Sequence, residues 1–166
     1  MTKSNLSVIV ISTLIAVFVG ASGAQAADAK TLSGSSCTST GSGFMIDSYG
    51  NALNTSTKDL VMTCPVVRDI TGGRVSFMKV YVQDRHPSRN ARCILASRLP
   101  TSKTARRYPV RGWEYTSGYG TISRVLHLGG FGRSWVAGGN YVQCVIPARY
   151  GSAYSGITTL NYGEET

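Results

Sequence analysis

The sequence predicts an all-β protein, an antiparallel β-sandwich of immunoglobulin-like or jelly-roll-like type with seven to eight short strands. Apolar and polar residues alternate with a period of two, which is the period of a strand. Turn-forming clusters of Gly, Pro, Asn, Asp and Ser recur about every ten residues. No segment repeats apolar residues at helical spacing over three turns, so any helix is limited to a single turn.

The first 26 residues are expected to be a secretory signal peptide. They contain Lys3, an apolar run over residues 6–19 and the small-residue stop Ala24-Gln25-Ala26, and the run is too short for a membrane span. Cleavage after Ala26 removes 26 of the 166 residues and leaves 140, and losing Lys3 lowers the formal net charge from +9 to +8. The length of the remaining chain, its basic charge and the export signal together argue against a multidomain assembly, a transmembrane protein and a cytosolic nucleotide enzyme. We expect a basic protein that is secreted or periplasmic.

Residues 27–43 are expected to form a flexible arm, and residues 44–166 a single β-sandwich domain. The arm consists largely of Ser, Thr, Gly and Ala. With almost no large apolar side chain, it cannot offset the entropy of its own ordering unless Cys37 anchors it.

Within the domain, strands are predicted at residues 60–66, 75–84, 91–97, 111–116, 121–128, 140–146 and 156–162. The second of these places Met78, Val80 and Val82 on one face. Pro65 cannot donate a hydrogen bond to a neighbouring strand, so it marks a sheet edge or a strand end. A short turn containing Pro87 joins 75–84 to 91–97, which predicts a hairpin.

Four cysteines in an exported chain predict two disulfides. The spacing contains no C-x-x-C motif, which argues against a zinc site or a dithiol redox centre. Of the three possible connectivities we favour Cys93–Cys144, which would tie two core-facing strands, and Cys37–Cys64, which would anchor the arm. No metal site or cofactor is predicted.

Several segments together resemble an uncharacterised group of small secreted bacterial proteins. They are the Cys-Pro-Val strand at 64–66, the strand ending in Asp-Arg at 80–85, the Arg-Cys-Ile-Leu strand at 92–95, the Tyr-Val-Gln-Cys strand at 141–144 and the Ser-Gly-Ile element at 155–157. The resemblance covers roughly residues 37–163. It implies a signal peptide, two disulfides and a β-sandwich, and it carries no catalytic residues.

The most unusual feature is a basic block, residues 85–111, which contains eight basic residues and no acid. Arginine suits phosphate, sulfate and carboxylate polymers because its planar fork is weakly hydrated. The alternative is a solvated surface that keeps the protein soluble. The candidate binding residues are Arg85, Arg89, Arg92, Lys103, Arg106, Arg107 and Arg111, and Arg98 completes the block.

Aromatic residues offer a second interpretation, in which Trp113, Tyr115, Tyr119 and Trp135 stack on sugars or bases. Ordinary strand packing explains the same composition.

An exported hydrolase or lyase is the alternative function, with a site assembled from Asp84, His86 and His127. Asp84 and His86 have the spacing of one strand face, so the carboxylate could orient a general base. An ordinary turn before Pro87 explains the same residues.

The sequence therefore predicts a non-enzymatic binding or coating module. Its expected partner is an acidic polymer, either an envelope glycan or nucleic acid bound without sequence specificity.

Overall fold

The computed structural model describes residues 28–69, 73–98, 107–109, 111–132 and 139–165, with the backbone alone described at 107–109. The predicted signal peptide at 1–26 and three of the residues discussed above, Lys103, Arg106 and Trp135, lie outside the described residues.

The fold is an antiparallel β-sandwich, as the sequence predicts. The first sheet contains β1 (Asp28–Ser33), β2 (Phe44–Ile46), β3 (Ala52–Asn54), β5 (Arg74–Gln83), β9 (Arg124–His127) and β11 (Ser155–Glu165). Its order is β2-β3-β11-β5-β9, with β1 also paired to β11. The second sheet contains β4 (Leu60–Pro65), β6 (Arg92–Arg98), β7 (Arg107–Pro109), β8 (Glu114–Tyr115) and β10 (Gly139–Ile146). Its order is β4-β10-β6-β7, with β8 also paired to β6.

One apolar core lies between the sheets, and the period-two pattern of the strands builds it. Met78, Val80 and Val82 of β5 are buried, and Val142 and Ile146 of β10 face them from the second sheet. Pro65 ends β4, which is an edge strand of the second sheet, as its missing N–H requires.

Both favoured disulfides are present. Cys93 and Cys144 are directly opposite each other on β6 and β10, and Cys37 joins Cys64 of β4. All four cysteines are buried in the core. Two disulfides are typical of proteins outside the reducing cytosol.

Helical structure in the described residues is one 3-10 turn, Gly34–Ser36. No helix in this part of the chain has the length and hydropathy needed to cross a membrane.

The predicted hairpin between residues 75–84 and 91–97 is wrong. β5 pairs with β11 and β9 in the first sheet, whereas β6 pairs with β10, β7 and β8 in the second. Residues 84–91 instead cross the sandwich, and they are long enough to span the roughly 10 Å between packed sheets. Alternation shows which side chains face inward, but it does not show which strand lies alongside.

The segment 27–43, expected to be flexible unless Cys37 anchors it, is paired and anchored over its described residues 28–43. Residues 28–33 form β1, which pairs with β11 from Asp28 opposite Glu164 to Ser33 opposite Thr159. The strand is held by backbone hydrogen bonds and by one partly buried apolar side chain, Leu32, rather than by an apolar face of its own. The Cys37 disulfide fixes the following segment.

An ion cluster around Glu164 anchors β1. The Glu164 carboxylate is fully buried and lies 2.5 Å from Lys30 Nζ and 3.4 Å from Arg68 Nε. Lys30 Nζ also lies 2.9 Å from Asp69 and 3.3 Å from Asp28. Desolvation by itself would lower the pKa of Lys30, but hydrogen bonds to Glu164, Asp69 and Asp28 outweigh it and raise that pKa above its usual range. Lys30 is therefore charged across the physiological pH range.

Replacing Glu164 with Gln should destabilise the fold strongly. The substitution keeps the side-chain shape but leaves Lys30 and Arg68 facing a neutral amide, which should cost about 3–5 kcal/mol of unfolding free energy. Glu165→Gln is the matched control, because its ion pair with Arg74 is exposed and should contribute less than about 1 kcal/mol. Urea unfolding of both variants measures the difference, and equal losses would contradict the assigned role of Glu164.

Candidate functional site

The structure distributes the described arginines of the basic block over different regions. Arg85 and Arg89 lie in the connection that follows β5, where Arg89 Nη1 is 2.9 Å from Asp59 Oδ1. Arg92 and Arg98 begin and end β6 and point away from the core, about 20 Å apart along the strand. Arg111 lies in the segment that follows β7, against Gly129. The block is therefore not one continuous patch in the described residues.

Arg107 and Arg98 are partners in the β6–β7 register, so these two members of the block are neighbours in the backbone.

Asp84 has a structural role at the end of β5. Its fully buried carboxylate accepts hydrogen bonds from the N–H groups of His86 and Ala91 and from the Thr116 hydroxyl. These bonds join residues 84–91, which cross between the sheets, to the segment that follows β8. They use the carboxylate within the scaffold, which agrees with the turn interpretation of this segment.

The two histidines lie apart in the fold. His86 Nδ1 accepts a hydrogen bond from Ser88 N, and its ring packs edge-on against Tyr150 with centroids 5.6 Å apart. His127 is exposed on β9 opposite Lys79, about 16 Å along β5 from Asp84. The residues of the alternative hydrolase site therefore do not share one cleft. Among the described residues, no group of three His, Cys, Asp or Glu side chains is close enough to hold a metal ion.

The candidate aromatic residues are only partly clustered. Trp113 is half-buried beneath the Arg92 guanidinium, whose carbon lies 5.2 Å from the ring centroid. Tyr115 is exposed and pairs with Arg92 in the β6–β8 register, so both lie on the outer face of the second sheet. Tyr119 is exposed in the loop that follows β8. This places Arg92, Trp113 and Tyr115 together at one end of that face.

Most of the acidic side chains are used inside the scaffold. All eight acidic residues of the chain are described, and five of them form ion pairs: Asp28, Asp59, Asp69, Glu164 and Glu165. Asp84 accepts backbone hydrogen bonds, and Asp47 does so too, with bonds from Asn51 first among those that lower its pKa. Glu114 stays exposed. In contrast, Arg92, Arg98 and Arg111 have no carboxylate partner among the described residues, so their charge is not neutralised.

A groove of about 670 Å³ crosses the outer face of the second sheet, the face that points away from the core. We call it the outer groove. Its described lining residues come from β4, β10, the end of β6 and the loop around Cys37: Ser36, Thr38, Thr63, Pro65, Arg98, Gly139, Asn140, Tyr141 and Gln143. The lining is mainly hydroxyl, amide and phenol groups, with one guanidinium.

The register of the sheet sets the spacing of these polar groups. Thr38 bridges to Thr63 through two backbone hydrogen bonds of 2.8 Å, and Thr63 lies opposite Gln143 on β10. The three residues thus form a row across adjacent strands, with steps of about 4.8 Å. Pro65 and Tyr141 form the next row. The Cys37–Cys64 disulfide holds the Thr38 end of the groove in place.

Arg98 and Gly139 are register partners at the β6 end of the groove. A Cβ atom on Gly139 would meet no other atom within 4 Å. The missing side chain therefore leaves open space beside an exposed guanidinium.

Of the lining residues, Arg98 was recognisable from the sequence as part of the basic block, whereas Thr38, Thr63, Tyr141 and Gln143 were not. The sequence feature that could have identified Thr63, Tyr141 and Gln143 is their outward position in strands 60–66 and 140–146, where they alternate with the core residues. That these two strands are neighbours, and that the Cys37 loop extends their sheet, became visible only in the fold.

Comparisons with known proteins identify a similar fold but no family. No family model matches the sequence, and no curated protein matches it significantly. A family two carbohydrate esterase from Cellvibrio japonicus is similar with a TM-score of 0.51 and 9% identity, over 84% of this chain and 34% of that one. This chain thus spans about a third of that esterase, and at this identity the similarity describes the β-sandwich alone.

Two carbohydrate-related structures show weaker similarity. A low affinity xylan binding module from Roseburia intestinalis has a TM-score of 0.46 and 10% identity, over 82% of this chain and 96% of that one. A domain of a multidomain xylanase from the hindgut metagenome of Trinervitermes trinervoides has a TM-score of 0.47 and 14% identity, over 84% and 99%.

The scaffold role of Asp84 gives a test. Asp84→Ala should lower the unfolding free energy by about 2–4 kcal/mol, because it leaves the Ala91 N–H and the Thr116 hydroxyl without their buried acceptor. His86→Ala should cost less than about 1 kcal/mol. Chemical unfolding monitored by tryptophan fluorescence measures both, and a larger loss for His86→Ala would refute this assignment.

Proposed function

We propose that the protein is a secreted, non-enzymatic binding module that holds an acidic polysaccharide in the outer groove. The observation that carries the proposal is the chemistry of the lining. Hydroxyl and amide side chains stand in a row across the sheet. The same groove contains a guanidinium that no described carboxylate neutralises, Arg98, whose register partner Gly139 is about 13 Å along β10 from Gln143. A protein exported to the cell envelope or beyond meets such polymers there.

The neutral part of the groove suits a sugar chain. Hydroxyl and amide groups both donate and accept hydrogen bonds, as sugar hydroxyls do, so Thr38, Thr63 and Gln143 can pair with either partner. Their steps of about 4.8 Å across the sheet are comparable to the length of one pyranose unit in an extended chain. A polysaccharide lying across the strands would therefore present successive units to successive side chains.

The charged end of the groove suits a carboxylate or sulfate on that chain. The Arg98 fork matches either group with two parallel hydrogen bonds. The space above Gly139 leaves room for the acidic substituent beside it. Arg92 lies farther along the same face and adds to the positive field that attracts such a polymer.

A glycan fits this lining better than nucleic acid, the other polymer that the sequence suggests. Nucleic acid carries a phosphate on every unit, and proteins that bind it use several cations and exposed aromatic stacking platforms. Within the described lining, Arg98 is the one cation, and Tyr141 is the one aromatic residue and is half-buried. This pattern favours a polymer with sparse charge and many hydroxyls.

Replacing Arg98 with Ala should weaken binding to polygalacturonate about 10- to 100-fold. A hydrogen bond to a charged group contributes about 1.5–3 kcal/mol, and 1.4 kcal/mol corresponds to a tenfold change in affinity. Arg124→Ala is the matched control, since Arg124 is exposed on β9 of the other sheet and also has no carboxylate partner among the described residues. Affinity electrophoresis of folded variants in polygalacturonate gels measures the change.

Gly139→Val tests the groove without removing charge. The new side chain meets open space and valine favours strands, so the melting temperature should hold while binding falls. Three outcomes would contradict the proposal: wild-type binding by both groove variants, equal loss in Arg124→Ala, or equal retention on uncharged dextran. Stronger retention on DNA than on polygalacturonate at matched salt would favour nucleic acid instead.

A further inference from the structure

A second concave site lies near the edge strand β9 of the first sheet. We call it the lateral cleft; its volume is about 340 Å³, and its lining includes Arg74, Ser76, Arg111, Gly130, Phe131 and Glu165. These residues come from the start of β5, the end of β11, and the segments that follow β7 and β9. None of them lines the outer groove.

Two glycines shape the cleft. Gly129 has a φ of 71°, and a Cβ there would lie 2.7 Å from Arg111 Nε and 2.9 Å from Arg111 Cζ. A Cβ on Gly130 would lie 2.1 Å from the carbonyl oxygen of Val75. Because neither residue has a side chain, the Arg111 guanidinium rests on Gly129, and the loop packs directly against β5 through two hydrogen bonds between Phe131 and Val75. Gly129 therefore leaves the space that the Arg111 guanidinium occupies.

The charges that line the cleft do not cancel. Arg74 donates two hydrogen bonds to Glu165 Oε2, of 2.8 Å from Nε and 2.5 Å from Nη2, and these use the one carboxylate of the described lining. Arg111 is exposed and has no carboxylate partner among the described residues. Two guanidiniums against one carboxylate leave a positive charge in a concave site.

We propose that the lateral cleft is a second anion-binding site, which takes a single carboxylate, sulfate or phosphate group. Arg111 is the principal donor, because its fork lies beside Gly129, is exposed and is not neutralised. Arg74, already held by Glu165, adds a second positive charge on another wall. This inference does not depend on the outer groove, since the two sites share no lining residue.

Inorganic sulfate is the simplest probe of the cleft. A ligand that binds the folded state raises the melting temperature in a saturable way, whereas sulfate also stabilises proteins generally through exclusion from their surface. Thermal unfolding of the mature protein is therefore followed in increasing sodium sulfate, with sodium chloride keeping the ionic strength constant. We expect a saturable increase above the general effect.

Four variants test whether the cleft causes the saturable increase in melting temperature. Arg111→Ala should lose the saturable part that the cleft contributes and keep the general part. Arg124→Ala, which removes an exposed arginine outside both linings, should keep both parts. Arg111→Lys, which retains the charge but not the fork, should show weaker saturable binding. Gly132→Val, whose Cβ would meet no atom within 4 Å, should obstruct the cleft without unfolding the protein.

Acetate and phosphate titrations on the same variants show which oxyanion the cleft prefers. The proposal is overturned if the wild-type protein shows no saturable response to any of the three anions. It is also overturned if Arg111→Ala responds as the wild type does.

Discussion

The ion pairs of the buried Glu164 carboxylate hold β1 against β11, and the edge of the first sheet depends on that pairing. Glu164 lies near the end of β11 and pairs with Lys30 on β1 and Arg68 in the loop after β4. These contacts join the first described strand to the last one and attach both to the segment that leads into β5. Without β1, the second half of β11 would be a sheet edge with unpaired backbone groups.

Because most acidic side chains form ion pairs or accept backbone hydrogen bonds, they also determine where the surface of the protein is positively charged. The chain has 17 basic and 8 acidic residues, and ion pairs or backbone hydrogen bonds use every acidic side chain except Glu114. Arginines on the outer face of the second sheet and at the lateral cleft therefore keep their charge. The arginines without carboxylate partners among the described residues result from the use of the few acids in ion pairs and backbone hydrogen bonds. The position of the acids therefore matters as much as the clustering of arginines in sequence.

The strands with a strong period-two pattern were predictable from sequence, as were both disulfides. β5 is an example, because Met78, Val80 and Val82 alternate with polar residues. β1 was missed because its stability comes from pairing with β11 and from Lys30, which have no local signal. The crossing at residues 84–91 was mistaken for a hairpin, because a turn sequence does not specify the sheet that the next strand joins. The outer groove was missed for the same reason: Thr38, Thr63 and Gln143 become neighbours only through long-range pairing.

In the proposed function, the outer face of the second sheet recognises an acidic sugar chain through a row of neutral groups and one guanidinium. The decisive measurement is an NMR titration of the isotopically labelled protein with a trigalacturonate fragment. We expect saturable shifts confined to the backbone amides of Thr38, Thr63, Tyr141 and Gln143 and to the Arg98 side chain. Shifts confined to the loops around His86 and Tyr150, or the absence of any saturable shift, would contradict it.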